Sequence, residues 1–300
     1  MRLDGGESVI DIDNLTMRYP SGFSLSQVSL SVQKGSVYAL VGRNGAGKST
    51  LIRCLLGVQR QTSGAAMLLG RSSWEHRTTL MEQVAVVPED PDVPPEMTAL
   101  QVSRFCSRLY KRWDGKSLED RLNRFGVPLR VSFGKLSKGQ KRQVALAVAL
   151  ASSPELLILD DPTLGLDVVA RKAVFEEVIG ELADRGITLF LTTHDLAGVE
   201  TLADHVGILH KGKLVFDQPL ELLKQRFRRL RYTSSSEPQS SVVRNFKVVR
   251  ARSIGSLAEA VVSDFEQERF DGDDGMVEAE AMSLEEIFLA VMSDAEGNEQ

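Results

Sequence analysis

The 300-residue sequence predicts an α/β fold in which a parallel sheet, covered on both faces by helices, follows a smaller antiparallel sheet. Two patterns and one piece of arithmetic support this. Four continuous apolar runs, at 37–41, 84–87, 156–159 and 187–191, are separated by stretches of helical spacing. A strand with helices on both faces has no side free for polar residues, so it reads as an unbroken apolar run. Ahead of these runs Ile10 and Ile12 alternate with Asp11 and Asp13, and Leu30 and Val32 alternate with polar neighbours up to a Lys34-Gly35 turn. That two-residue period marks a half-buried antiparallel sheet. The length is about two domains at roughly 150 residues each, enough to bury a core without disulfides or metals.

Between the second and third runs, residues 89–152 read as a helical insertion, with helices expected at 98–110, 117–125 and 139–151. After the last run Lys211-Gly212 predicts a hairpin turn, and Pro219 opens a basic helix that includes Lys224, Arg226, Arg228, Arg229 and Arg231. A solvated helix face is one reading of that charge; contact with anionic lipid or with a partner protein is the other. The serine-rich stretch 233–241 has a linker's composition. Beyond it, 246–249, 256–265, 276–281 and 283–292 read as strand, helix, strand and helix, the last opened by a Ser283/Glu286 capping box. The expected division is a principal domain at 1–231, a linker at 232–242 and a small α+β domain at 243–300, whose last thirty residues hold acids and no Lys or Arg.

Composition narrows the function. Hydrophobic residues at 42% with 26% charged mark an ordinary globular chain, not a disordered one. Its longest apolar run, 144–151, falls well short of the roughly 18 residues a membrane-spanning helix needs. Asp4 and Glu7 stand where an export signal would carry basic and then apolar residues, so a cytoplasmic location is expected. Cys54 and Cys106 lie in no metal or redox spacing, as suits buried or free thiols in a reducing compartment. A net charge of −5 offers nucleic acid no general attraction.

Chemistry concentrates at the ends of the apolar runs. Gly42-Arg43-Asn44-Gly45-Ala46-Gly47-Lys48-Ser49 matches the P-loop pattern, directly after one such run and before a helical stretch that starts at Thr50. Its glycines let the backbone wrap a phosphate, the helix N-terminus faces the anion, Lys48 spans to the β- and γ-phosphates, and the Ser49 hydroxyl can ligate Mg²⁺. The run at 156–159 ends in Asp160-Asp161, two carboxylates where open parallel sheets place ligand groups. Asp160 is expected to hold Mg²⁺ through water, and Asp161 to face the attacking water.

Three further elements follow in order: Leu136-Ser137-Lys138-Gly139-Gln140 before a long helix, Gly165-Leu166-Asp167 after the acidic pair, and His194 at the end of Leu189-Phe190-Leu191-Thr192-Thr193. With these, residues 9–230 resemble the ATP-binding cassette (ABC) family, specifically the nucleotide-binding subunit of an ABC transporter. The resemblance implies a P-loop NTPase of ABC type, with an N-terminal antiparallel β-subdomain and an inserted helical subdomain, that hydrolyses ATP with Mg²⁺. The segment at 243–300 would then be a small α+β C-terminal accessory domain. By the same resemblance Tyr19 stacks on the adenine ring, and Glu89 links the Mg²⁺ site, as a ligand, to the helical subdomain. Ser137, Gly139 and Gln140 close over the γ-phosphate from the opposite subunit, Asp167 lies at the dimer interface, and His194 contacts the γ-phosphate. One copy of each element per chain implies a second ATPase subunit, identical or related, and an integral membrane permease as partner. Residues 283–290 resemble the C-terminal end of bacterial export-type subunits.

Three positions depart from the family pattern: Asp161 stands for the usual glutamate, Glu89 for glutamine and Lys138 for the second signature residue, glycine. A catalytic carboxylate one methylene shorter predicts slow turnover. The alternative function is a soluble ABC ATPase acting on ribosome or DNA; such relatives usually carry two cassettes, a long coiled coil or zinc-binding cysteines, and this sequence has none of them. A regulatory GTPase would need an Asn-Lys-x-Asp motif, which is absent.

Overall fold

The computed structural model describes residues 7–20, 22–233, 243, 245–270 and 277–297. They pack as two compact units, one of Met1–Gly198 with His205–Asp217 and one of Val199–Asp204 with Gln218–Gln300.

In the first unit β1 (Ser8–Arg18) and β2 (Ser24–Gln33) pair antiparallel, with Ile10 opposite Val32 and Ile12 opposite Leu30. The alternation read from the sequence therefore lies on one buried face. After β3 (Val37–Val41), the strands β4 (Ser63–Leu68) and β5 (Arg71–Ser72) complete that sheet in the order β2-β1-β4-β5. The apolar runs form a second sheet from β3, β6 (Val84–Val87), β7 (Leu156–Asp160), β8 (Thr188–Thr193), β9 (His205–His210) and β10 (Lys213–Pro219). Its order is β10-β9-β3-β8-β7-β6, and β9, β3, β8, β7 and β6 run parallel. All residues of β3 and of β8 are buried, which is why those segments could carry no polar alternation. At the β9–β10 turn Lys211 and Gly212 both take positive φ, the geometry of a tight hairpin.

Helices α1 (Lys48–Leu55) and α2 (Arg77–Leu80) precede the insertion. The insertion is α3 (Ala99–Cys106), α4 (Gly115–Arg124) and α5 (Lys138–Ala151), each within a few residues of expectation except that α3 stops at Cys106, short of Tyr110. Leu118, Leu122, Phe133, Val144 and Ala147 give it a core of its own. Thr98 with Gln101 and Ser137 with Gln140 form capping boxes that fix where α3 and α5 begin. Helix α6 (Val168–Arg185) then leads into β8, and α7 (Leu196–Leu202) follows it.

The second unit corrects two sequence expectations. The basic helix is short: α8 (Leu220–Arg226) ends, and Arg228–Thr233 is a strand, β11. The segment 256–265, expected as a helix, holds strand β13 (Leu257–Val262). With β12 (Val248–Ile254) and β14 (Val277–Ala281) they make an antiparallel sheet ordered β12-β13-β11-β14, followed by the last strand's helix α10 (Leu284–Gly297); a short α9 (Gln267–Phe270) precedes β14. The physical reason is long-range pairing, since β11 sits between β13 and β14 and hydrogen-bonds to both. Its cations are spent internally: Arg229 pairs with Glu259 at 2.8 Å and Glu286 at 2.6 Å, and Arg231 with Glu280 at 2.5 Å. Neither a solvated helix face nor a lipid contact describes Arg229. Tyr232 and Thr233, expected in the linker, close β11, and the rest of that linker, 234–242, lies outside the described residues. So do Met1–Gly6 and 271–276 of the acidic tail.

Candidate functional site

Parallel strands end at one edge of their sheet, so the loops after β3, β6, β7 and β8 converge there. The first is the glycine-rich loop between Val41 and Lys48. Its backbone passes so close to β9 that a Cβ on Gly42 would stand 2.5 Å from the Leu209 carbonyl oxygen. Gly47 holds φ +112°, which L side chains rarely adopt, and directly precedes α1. No side chain caps α1 and its first turn carries no acid, so its leading N–H groups are free to face an anion. Lys48 is buried, and its ammonium donates to the Gly42 carbonyl at 2.6 Å. Burial pushes its pKa below the usual lysine range, against the opposing pull of Asp161, Asp160 and Glu89. A phosphate would replace carbonyl oxygens with a full negative charge at that ammonium.

Asp160 closes β7 and accepts a hydrogen bond from the Thr192 hydroxyl of β8 at 2.6 Å. Asp161 follows with φ +50°, a left-handed turn that aspartate tolerates better than most residues. Its N–H donates to the Thr192 carbonyl at 2.9 Å. The turn carries its carboxylate to His194, with Oδ2 at 2.8 Å from Nδ1, while Oδ1 accepts from the Thr193 hydroxyl at 3.5 Å. His194 is half exposed at 49%, Asp161 nearly buried at 9%, so the imidazole forms the solvent side of the pair.

These residues line one open cleft of about 410 Å³, within the range of small-molecule sites. Arg43, Asn44, Gly45, Ala46, Gly47, Lys48, Ser49, Thr50, Glu89, Asp160, Asp161 and His194 all reach it. Tyr19 does not. Its hydroxyl donates to Gln59 Oε1 at 2.6 Å, and the aromatic at the cleft wall is Phe23, whose ring centroid lies 6.2 Å from that of Tyr19. Phe23 escaped the sequence reading because an aromatic just before β2 looks like any strand residue. Ser137, Gly139, Gln140 and Asp167 do not line the cleft either. Ser137 and Gln140 cap α5 reciprocally, and Asp167 caps α6 by accepting from the Ala170 N–H at 2.8 Å. Beside Asp167 the apolar Val168 and Val169 are exposed, 79% and 80% accessible.

The donor set at the cleft suits Mg²⁺. Ser49, Asp160 and Glu89 offer oxygen only, the chemistry this cation selects. Among the described residues no three or more His, Cys, Asp or Glu side chains converge as a metal cage. An ion held here by one or two carboxylates would need substrate phosphates or water to complete its shell. Three carboxylates against Arg43 and Lys48 also leave a triphosphate facing net negative charge, which a divalent cation offsets.

A glycine-rich loop, a buried lysine and a helix start meeting at one cleft are the features of P-loop nucleotide-binding proteins. Comparison with known proteins narrows the class. Residues 25–164 match the family described as ABC transporter. The bacitracin transport ATP-binding protein BcrA of Bacillus licheniformis is 33% identical over 238 residues, covering 79% of this chain and 78% of its own. A fluoroquinolones export ATP-binding protein of Mycobacterium tuberculosis is 34% identical over 229 residues, covering 75% of each. A solved structure of an ATP-binding subunit of an ABC transporter superposes with a TM-score of 0.66 at 30% identity, covering 72% of this chain and 92% of that one. The chain belongs to the ABC transporter ATP-binding family, and its fold is that of the ABC ATPase cassette.

Proposed function

We propose that this protein hydrolyses ATP between two cassettes and thereby drives export through a separate membrane protein. The observation that carries the reading is the shared cleft of Lys48, Asp160, Asp161 and His194 at the carboxyl edge of a parallel sheet. The α1 N-terminus and the 43–47 backbone receive the phosphates, Lys48 bridges to the β- and γ-phosphates, and Phe23 supplies an aromatic face for the base; Gly42, which does not line the cleft, anchors the loop against β9. Ser49, Asp160 and Glu89 hold Mg²⁺, which when bound neutralises charge on the phosphates.

Asp161 orients the attacking water in line with the bond between the γ-phosphorus and the β–γ bridging oxygen. As water adds and that bond breaks, its proton passes toward the Asp161 carboxylate, and ADP leaves with the bridging oxygen. His194, held by Asp161, donates to the γ-phosphate from its exposed edge. Ser137, Gly139 and Gln140 at the N-terminal end of α5, with Asp167, act on the nucleotide of a second cassette, in keeping with none of them lining its own chain's cleft. The exposed Val168 and Val169 beside Asp167 belong to the surface such a dimer would cover. Among the described residues no helix is long and apolar enough to cross a membrane, so the pore is assigned to another chain and this one to its cytoplasmic face. Export, as opposed to import, rests on the names of relatives such as the fluoroquinolones export protein.

ATP turnover by the purified chain tests this. Lys48→Ala should abolish phosphate release while leaving the fold intact by circular dichroism; equal release by both proteins would remove the basis of the reading.

A further inference from the structure

Arg142 of α5 is a guanidinium 7% exposed, with no carboxylate partner among the described residues. A buried charge without a counter-ion is expensive, and Val144, Leu146 and Ala147 on the same helix show that apolar residues fit there. What the guanidinium does instead is hold backbone. Its Nε and Nη2 donate to the Glu89 carbonyl oxygen at 3.1 and 2.9 Å. Its Nη1 is buried without a hydrogen-bond partner and lies against the 163–167 loop, 3.8 Å from where a Cβ on Gly165 would stand. One turn earlier, Gly139 packs against Leu166 of that loop, where an added Cβ would come within 3.2 Å of its side chain. Arg142 is thus the junction of α5, the Glu89 segment and the loop after Asp161.

We propose that Arg142 is a positioning residue for the nucleotide cleft: its fork fixes the Glu89 backbone so that the Glu89 carboxylate stays in the cleft, and its third donor presents that junction to the 163–167 loop. The Glu89 segment carries Pro88 and Pro91 and lies in no helix or strand, so it has little of its own to fix it. A two-bond anchor on one carbonyl supplies what secondary structure does not. The proposal rests on the nucleotide reading above and on Glu89 serving Mg²⁺.

The test is a binding titration, independent of turnover. ATP affinity is measured by calorimetry with Mg²⁺ and with EDTA for the full chain, for Glu89→Ala, for Arg142→Met and for the double variant. Arg142→Met should cut the Mg²⁺-dependent gain in affinity by about tenfold, the scale of a net hydrogen bond or two, with affinity in EDTA unchanged. The double variant should lose no more than Glu89→Ala alone, and Arg142→Lys, which keeps the charge without the fork, should fall between. An unchanged gain in both Arg142 variants, or losses that add in the double variant, would overturn the proposal while leaving the nucleotide reading standing. Absence of any ATP binding by the unmodified chain would overturn both. If Arg142→Met does not fold, Arg142→Lys alone decides by the same ratio.

Discussion

At position 161 the carboxylate is one methylene shorter than a glutamate's. A glutamate there would reach roughly 1.5 Å farther, and a shift of about 1 Å in a catalytic group can cost on the order of a hundredfold. The left-handed turn at φ +50° and the 2.8 Å bond to His194 hold the shorter carboxylate close to the sheet edge. Asp161→Glu should therefore raise ATP turnover, by up to about a hundredfold, in a steady-state phosphate-release assay. If His194 contacts the γ-phosphate during transfer as proposed, His194→Ala should lower kcat by roughly a hundredfold and leave the ATP KM nearly unchanged. That the P-loop and the acidic pair meet at one cleft was legible, since each needs fixed residue types at fixed spacing, though Gly42 itself does not line that cleft. Tyr19 and Phe23 were not: an aromatic ring's direction is set by how β1 and β2 pack, and Tyr19 is turned to Gln59 by its own hydroxyl bond.

Elements differ in how far local sequence determines them. β3 and β8 were read correctly because total burial leaves an unmistakable apolar run. Strand β13 was not, because Leu257-Ala258-Glu259-Ala260 has helix-forming residues and its strand state comes from pairing with β11 and β12. The P-loop backbone is equally dependent on a neighbour: Gly42→Ala would press a methyl onto the Leu209 carbonyl and should cost about 1–3 kcal/mol in denaturant unfolding. At the start of α10 the Ser283 backbone N–H, and then Arg229, hold the Glu286 carboxyl below the usual carboxylate range. A depressed folded pKa gives stability that is present above the unfolded value, about 4.3, and lost as pH falls through the folded one. Glu286→Gln should thus destabilise the protein slightly at neutral pH, by under about 1 kcal/mol since the side chain is 37% exposed, and flatten its acid-side loss below about pH 4.

Over the whole molecule, the cleft of the first unit is proposed to be one half of a two-chain site. Lys48, Ser49, Asp160 and Asp161 line the cleft, while Ser137, Gly139 and Asp167 stand at helix starts outside its lining. ATP would then join two cassettes, and hydrolysis would release them. Order along the chain is what suggests this organisation; the second unit's sheet, which absorbs the basic segment expected as a surface helix, was hidden in contacts between residues as far apart as Arg229 and Glu286. The most direct test is the solution mass of Asp161→Asn by light scattering with and without Mg-ATP. The protein should be a monomer without nucleotide and a dimer with it, and the added Lys48→Ala substitution should return it to a monomer. A variant that binds ATP and stays monomeric would contradict the two-chain site.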